Sequence, residues 1–206
     1  MNVESYGWKS VEMPYYWNKK LPNILVDAVD GHKVLDVGCG NGYLVSVLLK
    51  NGYDAYGVDQ ARDGIALAKK YIDPDRFFLC DISEEKLPDG IDCEYDTIMS
   101  TEVIEHLFSP DSYLRFCNSK LKMGGVLVIS TPYHGYLKNL MIALFDRWDA
   151  HHFSLVEGGH IKFFSMKTLK IIVERNGFTV KKISGVGRAP YLWGTMVAIA
   201  IKTAHV

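Results

Sequence analysis

The sequence predicts an α/β domain in which helices cover both faces of an open, doubly wound and mostly parallel β-sheet. Three observations support this fold class: short β-branched runs alternate with helical patterns, the last two such runs leave no room for a helix between them, and the chain has 206 residues. Strands that alternate with helices are joined by right-handed crossovers, which produce a parallel sheet. A chain of this length can bury a core of its own, so we expect a single domain over residues 1–206.

The alternation is clearest in the first two thirds of the chain. Predicted strands lie at residues 33–38, 54–59, 76–80, 95–100 and 126–130, and predicted helices at residues 43–50, 61–71 and 111–121. The last of these strands, VLVIS, is almost entirely apolar, which is typical of a strand buried on both faces. The helix before it is expected to end at the pair Gly124 and Gly125, because glycine leaves the helical conformation readily.

The alternation stops after the fifth strand. Ser165 is suited to be the N-cap of a helix over residues 166–176, which is expected to end at Gly177. Two strands follow, at residues 178–183 and 195–201. Because the loop between them is too short for a crossover helix, they are predicted to form an antiparallel hairpin.

Two segments lie outside this pattern. Residues 133–164 are too many for a simple connection and are rich in aromatic residues and histidine. We expect them to form a lid over the carboxyl ends of the strands, where open α/β sheets bind ligands. Residues 1–32 are expected to form N-terminal helices that cap the domain.

Composition and charge narrow the class of function. The chain is 48% hydrophobic and 23% charged, which excludes a disordered protein, and its net charge of −1 gives no electrostatic reason to expect nucleic acid as a partner. Four cysteines (Cys39, Cys80, Cys93 and Cys117) form no Cys-x-x-Cys pair and are expected to be free thiols. Free thiols suit a reducing cytosol, and no apolar run approaches the ~20 residues of a membrane span, so we expect a soluble, cytoplasmic protein.

The most specific motif is the glycine loop VLDVGCGNGY. Asp36, Gly38, Gly40 and Gly42 stand directly after a predicted strand and before a predicted helix. A dinucleotide-binding fingerprint would have its third glycine one residue later, at Tyr43, so this loop departs from it. In addition, Asp36 would crowd negative charge against a pyrophosphate, which a helix N-terminus otherwise attracts. The aspartate instead favours a ligand that carries an amino group.

Two further carboxylates extend this site along the sheet. Asp59 ends the second predicted strand, where an acidic residue can accept hydrogen bonds from both hydroxyls of a ribose. Asp81 follows the third strand and can accept a hydrogen bond from an adenine amino group. Together with the loop, these carboxylates describe a pocket for an adenosine with an amino-acid tail, S-adenosylmethionine. The alternative is a glycine-rich turn whose neighbouring carboxylates only cap helices.

Six motifs carry a resemblance to a known family: VLDVGCGNG, GVD, CDIS, TEVIEHL, GGVLVIS and HIKFFSMKTLKIIVERNGF. With them, the chain from about residue 33 onward resembles the class I S-adenosylmethionine-dependent methyltransferases. It is most similar to the branch with the ubiquinone-biosynthesis O-methyltransferases and the sugar and cell-surface-glycan methyltransferases. The resemblance implies a Rossmann-like sheet of seven strands with the last strand antiparallel, which agrees with the predicted hairpin.

The resemblance also assigns roles to residues. It implies that the loop lines the methionine portion of the cofactor, that Asp59 binds the ribose, that Asp81 and Ile82 flank the adenine, and that Thr101 and Glu102 lie near the transferred methyl group. The predicted cofactor-binding residues are Asp36, Gly38, Cys39, Gly40, Gly42, Asp59, Gln60, Asp81, Ile82, Thr101 and Glu102.

An acidic and histidine-containing segment follows the fourth strand. If a helical turn begins near Thr101, then Glu102, Glu105 and His106 lie on one face at spacings i, i+3 and i+4. Joined by His160 from the lid, they could bind a divalent metal, as related RNA 3′-end methyltransferases do. In a second interpretation the Glu-His pair only orients the chain after the strand. In a third, His160 is a general base that titrates near neutrality, with His106 and Glu105 beside it.

These patterns predict methyl transfer to a small-molecule hydroxyl of a phenol, a quinone precursor or a sugar. Aromatic residues from three segments either wall the acceptor or pack on one another: Tyr15, Tyr16, Trp17, Trp148, Phe153, Tyr191 and Trp193. Two other functions remain open, namely a module that binds the cofactor without turnover and an RNA methyltransferase. The balanced charge weighs against RNA.

Overall fold

The structure is a computed structural model that describes residues 7–15, 17–82, 87–88, 91, 94–152, 159–187 and 189–206. Cys93, Tyr16 and Phe153 lie outside the described residues.

One seven-stranded sheet organises the chain, in the order β3-β2-β1-β4-β5-β7-β6. The strands are β1 (Lys33–Val37), β2 (Asp54–Asp59), β3 (Phe77–Leu79), β4 (Tyr95–Thr101), β5 (Leu121–Pro132), β6 (Phe178–Val186) and β7 (Thr195–Lys202). Strands β1 to β5 pair in parallel, and β7 is antiparallel to both of its neighbours, β5 and β6. The predicted fold class, with its antiparallel last strand, is therefore confirmed.

Helices cover both faces of the sheet. Neighbouring residues of a strand point to opposite faces, so each face carries apolar side chains that a layer of helices must cover. The helices are α1 (Leu21–Val26), α2 (Tyr43–Lys50), α3 (Arg62–Tyr71), α4 (Pro110–Lys120), α5 (Tyr136–Leu144), α6 (Trp148–His152) and α7 (Met166–Glu174). Val34 of β1 packs in one core with residues of α1, α2 and α3. Its neighbour Leu35 packs in a second core with residues of α4 and α7.

The glycine pair at the start of β5 has a different role from the one predicted. The sequence predicts that Gly124 and Gly125 end a helix, but α4 ends at Lys120 and β5 already begins at Leu121. Gly124 has a φ of +79°, and the pairing of β5 with β4 shifts register across this point. The glycines therefore form an irregularity inside the strand, where a residue without a side chain can adopt a positive φ.

The N-terminal segment and the lid differ in detail from the predictions. In residues 1–32 we expected several helices, and the described part of that range contains one, the six-residue α1. The predicted lid, residues 133–164, contains α5 and α6 in its described part. Within the described ranges, none of the helices is long and apolar enough to cross a bilayer.

A buried lysine joins the end of the sheet to the end of α4. Lys202 is only 2% exposed, and its Nζ donates to the main-chain oxygens of Asn118 at 2.6 Å and Leu121 at 2.9 Å. The Asn118 side chain in turn donates to the main-chain oxygen of Asn176. These bonds connect β7 to buried main-chain oxygens at the end of α4, at the start of β5 and just after α7.

Candidate cofactor and acceptor site

A cavity of about 670 Å³ opens at the carboxyl ends of the central strands. This volume is within the usual range for a small-molecule site, and the location is where open α/β sheets bind ligands. Many of the predicted site residues line it: Asp36, Gly38, Cys39, Gly40, Asp59, Gln60, Ile82, Thr101, Glu102, His106 and His160. Gly42, Asp81 and Glu105 are outside the lining.

The glycine loop has the backbone geometry that its sequence predicts. Gly38, Gly40 and Gly42 have φ values of +82°, +52° and +77°, a region that side chains other than glycine rarely adopt. A Cβ at Gly42 would come within 2.8 Å of both Ala68 Cβ and Phe77 Cε1. Gly42 thus allows the start of α2 to pack closely against α3 and β3, while Gly38 and Gly40 leave room for the side chains of Val103 and Trp8, which line the cavity.

Asp59 fixes this loop in place. Its Oδ2 accepts a hydrogen bond from Gly40 N at 2.7 Å, and its Oδ1 accepts one from Ala61 N at 2.8 Å. Burial raises the pKa of Asp59, while these two main-chain N–H groups lower it. The residue predicted to bind a ribose therefore also holds the loop, and each of its oxygens keeps a lone pair for a ligand.

Asp36 has a different environment although it stands on the neighbouring strand. It is 2% exposed, and its Oδ1 has no hydrogen-bond partner among the described residues. Burial, and then the nearby Asp59 carboxyl, raise the pKa of Asp36 to about 8. A buried carboxyl without a donor is costly, and a cationic ligand group would supply the missing partner.

Glu102 lies at the end of β4 and is turned away from the predicted metal cluster. Its φ is +56°, and its Oε1 accepts hydrogen bonds from Ser130 Oγ at 2.8 Å and Thr195 Oγ1 at 3.2 Å. Because the chain turns at this left-handed residue, the helical turn begins at Ile104 and not near Thr101. Glu102, one of the four predicted metal ligands, is not among the three whose ligand atoms come together. Burial raises the pKa of Glu102 to about 7.

The other three residues of the predicted cluster do come together. One ligand atom from each of Glu105, His106 and His160 lies within 4.8 Å of the others. The rings of the two histidines have centroids 4.9 Å apart, and His106 Nε2 is 3.9 Å from Glu105 Oε1. Glu105 is fully buried; its Oε2 accepts from Thr131 Oγ1 at 3.0 Å, and its Oε1 has no hydrogen-bond partner in the described ranges.

Main-chain hydrogen bonds hold the lid against this cluster. The main-chain oxygen of Glu105 accepts from Ile161 N at 2.9 Å and from Lys162 N at 3.0 Å. Burial, followed by the neighbouring His106, lowers the pKa of His160 to about 4. The prediction that His160 titrates near neutrality is therefore wrong for this structure, because the ring is partly enclosed and stays neutral at physiological pH.

Sequence reasoning missed two kinds of residue in the cavity wall. Trp8 and Asn41 line it near the glycine loop, and Lys138 lines it from α5. Trp8 lies in a segment without a periodic pattern, and a lysine on a helix such as Lys138 is usually solvated, so neither residue stands out as a site residue in the sequence. Of the predicted aromatic residues, the described part of the lining includes Tyr15, Trp17 and Trp193, but not Trp148 or Tyr191.

The strand order, the glycine loop and the carboxylates at the ends of β1 and β2 together define a class I S-adenosylmethionine-dependent methyltransferase fold. The chain belongs to this family: the family described as "Methyltransferase domain" matches residues 10–183.

Individual relatives and solved structures to which the chain is similar are also methyltransferases. The chain is 31% identical over 172 residues to the mitochondrial ubiquinone biosynthesis O-methyltransferase of Rattus norvegicus, covering 79% of this chain and 49% of the relative. It thus spans about half the length of that relative. A S-adenosylmethionine-dependent methyltransferase from Archaeoglobus fulgidus has the same fold, with a TM-score of 0.66, 24% identity and coverage of 89% and 92%. So does magnesium protoporphyrin IX methyltransferase from Synechocystis PCC 6803 with bound SAH, with a TM-score of 0.66, 15% identity and coverage of 89% and 83%.

Proposed function

We propose that the chain binds S-adenosylmethionine and catalyses transfer of its methyl group to a hydroxyl oxygen of a small molecule. The observation that carries the proposal is the buried Oδ1 of Asp36, which has no hydrogen-bond partner among the described residues and belongs to a cavity that the glycine loop also lines. The name of the rat relative, an O-methyltransferase, supports a hydroxyl acceptor.

The cavity wall fits the parts of this cofactor. Asp36 would pair with the ammonium of the methionine tail, since its buried Oδ1 receives no hydrogen bond from the described residues. Asp59 has lone pairs for the ribose, and Gln60 and Ile82 would border the adenine. Asp81 as a partner of the adenine amino group stays a prediction.

When bound, S-adenosylmethionine supplies an electrophilic methyl group on a sulfonium. The protein must hold the acceptor hydroxyl in line with it and exclude water, and positioning of this kind supplies much of a methyltransferase rate. The proton of the hydroxyl would pass to a ring nitrogen of His160, which is neutral and lines the cavity with His106. The carboxylate of Glu102, with a pKa of about 7, is the second candidate base.

The acceptor end of the cavity favours a planar molecule that carries or develops negative charge. Leu107, Leu192 and Trp193 give it apolar and aromatic walls. Lys138 is the one lysine or arginine in the described lining, and its Nζ has a long contact of 3.4 Å to the main-chain oxygen of Gly194. A phenol fits this combination better than a sugar, because its hydroxyl ionises more readily and its ring can contact the aromatic wall.

A divalent metal is an alternative role for the cluster of Glu105, His106 and His160. The combination of one carboxylate and two imidazoles suits a transition metal, and Glu105 Oε1 lacks a hydrogen-bond partner in the described part of the chain. Elemental analysis of protein purified without chelator tests this role. Metal-free protein whose activity is the same with EDTA and in Glu105→Gln would exclude it.

Two other expectations remain proposals. The balanced net charge supports a small-molecule acceptor over RNA. A cytoplasmic location is supported by the free thiols of Cys39 and Cys117, whereas the rat relative is named as mitochondrial. Imaging of the tagged full-length protein in its own cell tests the location.

The function is tested by calorimetric titration with S-adenosylmethionine, followed by methyl-transfer assays with catechols, hydroxybenzoates, sugars and an RNA oligonucleotide. We expect binding by the wild-type protein, loss of binding in Asp36→Ala, and transfer to a phenol. Asp111→Asn is the control, because Asp111 pairs with Arg175 away from the cavity. A folded wild-type protein that does not bind the cofactor refutes the proposal, and binding without transfer to any acceptor indicates a binding module.

A further inference from the structure

An N-terminal strap, residues 7–15 and 17, lies across the glycine loop. The side chain of Asn41, which stands between two glycines of the loop, donates from Nδ2 to the main-chain oxygens of Ser10 and Glu12, both at 2.8 Å. Asn41 is only 3% exposed. The loop therefore binds the strap through two hydrogen bonds that are shielded from water.

The beginning of the strap is held by α3. Gly7 N and Trp8 N donate to Asp63 Oδ2 at 2.8 Å and 3.2 Å. The Trp8 ring then packs on the loop so closely that a Cβ at Gly40 would come within 2.9 Å of Trp8 Cζ2. The ring position is thus fixed by contacts on two sides, and Gly40 is the residue that makes room for it.

Two indole N–H groups of the strap have no acceptor. Trp8 Nε1 and Trp17 Nε1 are both buried and unpaired among the described residues. Both side chains line the cavity. Because an indole nitrogen can only donate, and because a buried donor without an acceptor is costly, these groups indicate that a ligand supplies the acceptor.

The charges around the cavity indicate which ligand group this is. The methionine tail of the proposed cofactor carries an ammonium and a carboxylate, and Asp36 is suited to the ammonium. The carboxylate needs donors near the glycine loop. Lys138, the one lysine or arginine in the described lining, extends from the lid helix α5 and contacts Gly194 at the other end of the site. Trp8 contacts the loop at Gly40, and the ring centroid of Trp17 lies 6.1 Å from that of Tyr43, the residue that follows the loop, so both indoles offer an unused donor at this end of the site.

We propose that Trp8 and Trp17 bind the carboxylate of the methionine tail through their indole N–H groups, so that the strap recognises the amino-acid end of the cofactor. This inference rests on the proposed function. It predicts that the strap distinguishes ligands with the carboxylate from ligands without it, whereas a strap that only covers the site would contribute equally to both.

The test is calorimetric titration of Trp8→Phe and Trp17→Phe with S-adenosylmethionine and with decarboxylated S-adenosylmethionine, which keeps the ammonium and the sulfonium. Phenylalanine keeps an aromatic ring and removes the donor. We expect each variant to bind S-adenosylmethionine about tenfold more weakly, as the loss of a hydrogen bond to a charged group implies. Binding of the decarboxylated ligand should stay within about twofold, and Trp148→Phe, outside the cavity lining, should change neither.

The same titrations distinguish a failure of the strap proposal from a failure of the proposed function. Wild-type protein that binds S-adenosylmethionine, with variants that lose nothing or lose equally for both ligands, overturns the role of the strap alone. Wild-type protein that binds neither ligand overturns the cofactor assignment and the strap proposal together. If a phenylalanine variant unfolds, replacement of Trp8 by β-(3-benzothienyl)alanine keeps the ring shape and removes only the N–H, and the same comparison applies.

Discussion

Asp36 makes cofactor binding depend on pH in a direction that follows from its environment. In the structure, burial raises the pKa of Asp36 to about 8, so the carboxyl is mostly protonated at neutral pH. An ammonium beside it favours the ionised form. Binding of S-adenosylmethionine should therefore release a proton from Asp36, and the affinity should rise as the pH rises toward 8.

The size of the effect follows from the same pKa. With a pKa of about 8, roughly 1% of Asp36 is ionised at pH 6 and roughly 9% at pH 7. If the bound form stays ionised throughout, the affinity increases about ninefold over this interval, equivalent to roughly 1.3 kcal/mol. The α-amino group of the ligand remains largely protonated in this window because its own pKa is about 8.

Isothermal titration calorimetry at pH 6.0, 6.5 and 7.0, in two buffers of different ionisation enthalpy, measures both the affinity and the proton release. Asp36→Asn removes the titrating group, so its weaker binding should no longer show this roughly ninefold rise with pH. Glu102 must be controlled as well, since its pKa is about 7, and Glu102→Gln should keep the dependence. A wild-type affinity that is flat or falls between pH 6 and 7 would refute the reasoning.

Three further predictions concern stability and the reaction. Gly38→Ala should weaken cofactor binding and cost about 1–3 kcal/mol of unfolding free energy, measured in urea, because Gly38 has a φ of +82° and a Cβ there would collide with Val103. Lys202→Met should cost about 1–3 kcal/mol in the same assay, since it removes a buried donor from the main-chain oxygens of Asn118 and Leu121. If Glu102 is the base, Glu102→Gln should lower kcat and remove a rise in kcat centred near pH 7. If His160 is the base, its pKa of about 4 predicts no rise in kcat near pH 7, and His160→Asn should lower kcat whereas Glu102→Gln should not.

The sheet and the loop could be predicted because their signals are local. Alternating strands and helices imply the parallel sheet, and the missing helix between the last two strands implies the antiparallel hairpin. The positive φ values of Gly38, Gly40 and Gly42 are the conformations for which glycine is selected. In each case the residues that carry the signal are the residues that adopt the structure.

The segment after β4 could not be predicted because its geometry depends on one backbone angle. The spacing of Glu102, Glu105 and His106 places them on one face only if the chain is helical throughout. The left-handed conformation of Glu102 breaks that condition and directs its side chain to Ser130 and Thr195, two residues distant in sequence. Glutamate gives no local sign of such a conformation, so the contact with β5 and β7 decides it.

Asp36 and Asp59 show that two site residues of the same type can have different roles, which their hydrogen-bond partners reveal and the sequence motif does not. Both are aspartates near the ends of adjacent strands, and both have raised pKa values because they are buried. Asp59 already receives two main-chain hydrogen bonds, so replacing it would disturb the loop as well as the ligand. Asp36 Oδ1 receives none from the described residues, so a cation there would bring a new partner without displacing an old one. Thr101, Trp8 and Trp17 line the same cavity, and each has a buried side-chain polar atom without a hydrogen-bond partner among the described residues. Folded proteins leave few such atoms unpaired, so their presence at this cavity is a physical sign that the site is completed by a ligand.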